Sequence, residues 1–74
     1  MNYRERIIAD PQIMLGKPII KGTRITVELI LRKLSQKIWI EELLKSYPHI
    51  TIDDIYAALA YSADVVSKEE VIAC

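Results

Sequence analysis

Apolar residues change their spacing at Thr26. Before it, Ile7-Ile8 and Ile19-Ile20 are β-branched pairs, each too short for an independent strand. Asp10-Pro11 and Gly16-Lys17-Pro18 lie between them, and Lys21-Gly22-Thr23 makes a further break, all of it turn chemistry. Residues 1–25 therefore read as a small ribbon or extended arm, which needs a helical layer because two strands alone are marginal. Gly22 is expected at positive φ or at a close backbone approach. From Thr26 onward the period is helical: Val27, Ile30, Leu31, Leu34 and Ile38 form one stripe, and Thr26 is a good N-cap. Ile40, Leu43, Leu44 and Tyr47 form a second stripe, with Glu41 and Glu42 in the first turn and Pro48 as the stop. Thr51, Asp53 and Asp54 predict a capped, acidic start to a third helix that buries Ile52, Ile55, Leu59, Ala63 and Val66. Ser67-Lys68-Glu69-Glu70 has the form of a capping box, so residues 67–74 read as a short last helix or tail.

The expected fold is mainly α: an N-terminal β-ribbon or arm at residues 1–25, then a three-helix, helix-turn-helix-like bundle at 26–66. The chain has 74 residues, 51% of them hydrophobic, which fits one small globular domain and leaves little room for a deep two-lobed cleft. Its apolar runs fall far short of the ~20 residues that span a bilayer, and residues 1–9 do not read as a secretory signal. One cysteine, Cys74, excludes an internal disulfide, and with His49 as the only histidine no Cys/His zinc site is expected. A cytoplasmic protein with no membrane association is expected.

The net charge is zero, yet the charge is divided. Residues 1–37 carry eight basic and three acidic residues, or +5; residues 38–74 carry two basic and seven acidic, or −5. The division suggests a surface for a polyanion and another for a basic partner. The alternative is that the two halves pair with each other across one fold.

Enzymatic readings do poorly. Asp53-Asp54 and Glu41-Glu42 are adjacent carboxylates, which on a helix point about 100° apart, and helix-start electrostatics accounts for both pairs. The run from Gly16 to Thr23 has a faint likeness to a phosphate loop, but the glycine–lysine order is wrong and no strand–loop–helix follows. No cofactor and no metal are expected.

Nucleic acid contact would have to come from an unusual place. In a helix-turn-helix the second helix of the motif enters the major groove. Here that helix begins at Thr51 and carries Asp53, Asp54 and Asp64 with no basic residue before Lys68, so phosphates would repel it. Contact is expected instead from Lys17, Lys21, Arg24, Arg32, Lys33 and Lys37, acting mainly on phosphates and hence sensitive to salt. For Arg32, Lys33 and Lys37, complementing the dipole at a helix C-terminus is an equally simple explanation. Asp53, Ala57, Ala60 and Asp64, with Tyr56 and Tyr61 beside them, suggest a face that a partner could approach closely, although alanine is also simply the best helix former. Trp39 lies outside the second stripe and reads as a core edge or a contact residue.

As a set, these residues resemble a known family. Ile8, Asp10-Pro11, Gly16-Lys17-Pro18-Ile19-Ile20-Lys21-Gly22-Thr23-Arg24-Ile25, Glu41-Glu42-Leu43-Leu44, Tyr47-Pro48, Thr51, Asp54-Ile55 and Ala57-Ala58-Leu59-Ala60-Tyr61 are similar to the domain of unknown function 433 family over about residues 7–64. The resemblance implies a homeodomain-like helical fold and an antitoxin of a type II toxin–antitoxin pair. Such an antitoxin binds and neutralises a PIN-like ribonuclease toxin, commonly the neighbouring gene product, and can repress its own operon through operator DNA. Family members usually carry glycine near the end of the first helix and serine or threonine capping the second, where this chain has Lys37 and Trp39. Three expectations follow: an antitoxin, a stand-alone homodimeric DNA-binding transcriptional regulator, or an interaction module with no DNA role. Dimerisation, or a hetero-oligomer with the toxin, is expected because so small a chain has a thin core and unpaired strand edges.

Overall fold

The computed structural model describes residues 2–68. Its order is a 3-10 turn at Tyr3–Glu5, strand β1 (Ile7–Ile8), a tight turn at Met14–Gly16, strand β2 (Ile19–Ile20), and helices α1 (Val27–Ser35), α2 (Ile40–Ser46) and α3 (Ile52–Ser67). The protein is mainly helical, with a short two-stranded sheet ahead of the helices, as the change of period at Thr26 predicts.

β1 and β2 pair antiparallel, Ile7 opposite Ile20 and Ile8 opposite Ile19. The long turn between them is built by local bonds. Asp10 accepts from the Gln12 amide through its carboxylate at 2.9 Å and from the Ile13 amide through its carbonyl at 2.9 Å. Met14, Leu15 and Gly16 are all left-handed, at φ 50°, 60° and 81°. Gly22 has φ 82°, and the turn it makes is closed by the Thr23 amide and hydroxyl, both donating to the Ile20 carbonyl. The Val27 amide donates to the Pro18 carbonyl, so the ribbon is bonded directly to the first turn of α1. The ribbon thus gains the helical layer it needs.

The core joins Ile7 and Ile20 of the ribbon, Val27 and Ile30 of α1, Leu43 of α2, Ile50 of the following loop, and Ile55, Ala57 and Ala58 of α3. Leu31, Leu34 and Ile38 pack half-buried against it, so the expected α1 stripe faces inward throughout. Thr26 caps α1 by accepting from the Leu29 amide at 3.0 Å. Thr51 and Asp54 form a reciprocal capping box at the start of α3.

The face that α3 buries differs from the expected stripe. Of Ile52, Ile55, Leu59, Ala63 and Val66, only Ile55 is buried; the other four are exposed. The buried side carries Asp54, Ile55, Ala57 and Ala58, with Tyr61 packed against it. α3 is apolar on two sides, so period alone could not select one of them. Two physical facts decide. The alanines let α1 and the ribbon come close, and Asp54 is held inward by its cap and by Arg6. Ser67 is also reassigned: it ends α3 and donates to the Asp64 carbonyl rather than starting a new helix, and the rest of the expected last helix lies outside the described residues.

Candidate functional site

The turn between β2 and α1 places Lys21, Gly22, Thr23, Arg24 and Ile25 around a depression of about 530 Å³, and the loop between α2 and α3 adds His49 to its wall. Lys21, Arg24 and His49 are exposed, so three potential cationic or donor groups gather at one end of the molecule with no acidic residue among the lining groups. A concave site of this character suits phosphate oxygens. Of the expected basic residues, only Lys21 and Arg24 belong to it. Sequence reading missed His49, which lies two residues before the Thr51 cap and 24 positions beyond Ile25. No periodicity links such distant positions.

The remaining basic residues are dispersed. Lys17 and Arg32 both contact Glu28, at 3.1 Å and 3.0 Å. Lys17 first and then Arg32, each hydrogen-bonded to the carboxylate, hold Glu28 below its ordinary pKa. The Glu28 carboxylate thus offsets charge on two of the six basic residues. Lys33 is half-buried on α1. Lys37 is left-handed at φ 65° and turns the chain from α1 into α2, a conformation that glycine adopts without strain. The Trp39 side chain makes no cap bond to α2, and it is 72% exposed.

The expected partner face of α3 is met in part by Tyr3 and Arg6 of the same chain. Ala57 is fully buried and so cannot touch a partner. Asp53 lies 3.7 Å from the Arg6 guanidinium, and Asp64 accepts from the Tyr3 hydroxyl at 2.6 Å. That bond to Asp64, with some burial, pushes the Tyr3 phenol above its ordinary pKa. Tyr61 packs edge-on against the Tyr3 ring at 5.6 Å between centroids. Trp39, Tyr56 and the half-exposed Ala60 make none of these contacts, and Asp53 and Asp64 stay exposed beside theirs. Charge pairing across the two halves is thus real but limited: Arg6 of the basic half holds Asp53 and Asp54 of the acidic half.

A second surface is apolar. Between α1 and α3 an open groove of about 440 Å³ is lined by Pro18, Val27, Leu31, Tyr61, Val65 and Val66, with Glu28 and Arg32 at its edge. No helix among the described residues is long and apolar enough to cross a membrane.

Comparison with known proteins places this architecture. A crystal structure of a DUF433 member protein from Anabaena variabilis superposes with a TM-score of 0.80 at 30% identity, over 90% of this chain and 70% of that one. An uncharacterized protein of Archaeoglobus fulgidus is 54% identical over 28 residues, which is 38% of this chain and 78% of that protein. Residues 7–62 match the family described as protein of unknown function DUF433, covering both strands, the basic turn, α1, α2 and most of α3. The chain belongs to the DUF433 family.

Proposed function

We propose that this chain is the antitoxin of a type II toxin–antitoxin pair, acting in the cytoplasm by binding a PIN-like ribonuclease toxin through the groove between α1 and α3. The observation that carries this reading is the groove itself. The core closes around Ile30, Leu43 and Ile55, yet Leu31, Val65, Val66 and Tyr61 still line a second, open apolar surface. A segment from a partner would find apolar contact there, with Glu28 and Arg32 at the rim to fix its orientation. The resemblance of the Gly16–Ile25 segment to antitoxins of this family supplies the class of partner. Co-expression with the neighbouring gene product should restore growth, and the two proteins should co-purify. Val65→Glu, at a groove residue that is 45% exposed, should reduce binding at least tenfold and abolish rescue while leaving the helical circular dichroism unchanged. No complex and no rescue would overturn the reading.

The gathering of Lys21, Arg24 and His49 favours a second role, contact with operator DNA, either for autoregulation or as a stand-alone homodimeric regulator. Changing all three to Ala should weaken DNA binding about 10- to 100-fold near 0.1 M salt and flatten the log–log salt slope by roughly two, about one for each of Lys21 and Arg24. Fluorescence anisotropy with operator fragments measures both. Unchanged affinity and slope would remove this end of the molecule from DNA contact.

A further inference from the structure

α3 carries an apolar stripe on the side away from the core. Ile52, Tyr56, Leu59 and Val66 are 45%, 47%, 39% and 58% exposed, and Ala63 is exposed with them. Their spacing of four, three, four and three residues is the repeat of a helix seam that packs against another helix. A helix apolar on both sides behaves as a buried helix, and here only one side has its cover.

We propose that this stripe pairs with the same stripe of a second copy, α3 against α3, antiparallel about a two-fold axis at Leu59. The positions are self-complementary about that residue. Ile52 and Val66 lie seven residues to either side of it, and Tyr56 and Ala63 lie three and four to either side. Reversing one copy therefore sets Ile52 against Val66 of the partner subunit and the large Tyr56 against the small Ala63 of the partner subunit. Leu59 meets its own counterpart, which is what an isologous two-fold contact requires. The flanking residues select the direction. A parallel pair would stack the acidic first turns, Asp53 and Asp54, and the positive ends of both helix dipoles on each other. The antiparallel pair instead separates the two Asp53 residues by roughly 18 Å along the axis at 1.5 Å rise per residue. Ala60, beside Leu59 at the centre, leaves room for close approach.

This inference does not depend on the toxin reading, since the stripe points away from α1 and meets the α1–α3 groove only at Val66. Light scattering on the full chain at about 100 μM should give twice the 8.5 kDa chain mass. Leu59→Glu places two carboxylates on the axis and should give a monomer of unchanged circular dichroism, with the dimer weakened at least tenfold. In a Cys74→Ser background, Leu59→Cys should cross-link to itself under mild oxidation and Ile52→Cys should not. A monomeric wild-type chain, a dimer that survives Leu59→Glu, or self-cross-linking at position 52 in place of 59 would each overturn the proposal.

Discussion

Ile55→Ala is expected to cost about 4 kcal/mol of folding stability, the largest loss at any single position of α3. Ile55 is fully buried and shares one core with Ile7 and Ile20 of the ribbon, Val27 and Ile30 of α1, Leu43 of α2 and Ile50 of the following loop. Truncation removes the transfer free energy of its lost carbons and leaves a cavity; isoleucine-to-alanine changes of this kind cost about 2–5 kcal/mol. The upper part of that range applies because the neighbours come from four separate elements and cannot all close on one void. A chain of this length has a total stability of roughly 4–11 kcal/mol at about 0.05–0.15 kcal/mol per residue, so the variant loses at least about a third of it. Urea titration followed by circular dichroism measures it. Leu15→Ala, at a side chain 93% exposed, serves as the control and should change stability by less than about 0.5 kcal/mol. If the two variants titrate alike, the assignment of the core is wrong.

Asp54→Ala is expected to cost about 2–3 kcal/mol although it removes no apolar surface. One oxygen of Asp54 accepts from the Thr51 amide at 2.9 Å, the other accepts from the Arg6 guanidinium at 3.0 Å, and its own amide donates to the Thr51 hydroxyl at 3.3 Å. Loss of half a capping box costs on the order of 1 kcal/mol, and loss of a charge-assisted hydrogen bond to a largely buried carboxylate costs about 1.5–3 kcal/mol. The two are coupled, so the total falls short of their sum. Asp54→Asn keeps one acceptor for the Thr51 amide but presents no charge to Arg6, and should fall between wild type and Asp54→Ala. Thermal melts separate the three, at roughly 4–8 °C per kcal/mol for a domain of this size. A melting temperature unchanged in Asp54→Ala would mean that Arg6 does not tie the N-terminus to α3.

Local rules wrote most of this fold into the sequence. Thr26 and Thr51 cap the helices they were expected to cap, the α1 stripe faces the core, and Gly22 is left-handed where the turn requires it. Each of these depends on residues within one or two turns of each other. The choice of face on α3 does not. Ile52, Leu59 and Val66 are as apolar as the residues that were buried in their place, and what decides is long-range: Arg6 meets Asp54 across 48 positions and Tyr3 meets Asp64 across 61. The candidate sites divide in the same way. Lys21 and Arg24 were legible because they share a turn, whereas His49 reaches them only through the packing of the α2–α3 loop. Asp53, Ala57, Tyr61 and Asp64 read as a partner face because nothing local indicates that Tyr3 and Arg6 would meet that side of the helix.

The junction around Lys37 and Trp39 sets the order in which the molecule comes apart. α2 has seven residues, a single fully buried side chain in Leu43, no side-chain cap at its start, and a left-handed lysine just ahead of it. α1 and α3 each have a capped start, and the ribbon and N-terminus are bonded to them. Least free energy therefore separates α2 from a state in which it is unwound while the rest of the fold persists. Such an opening would withdraw Leu43 from the shared core and loosen His49, so the basic depression is tethered to the least stable helix of the three.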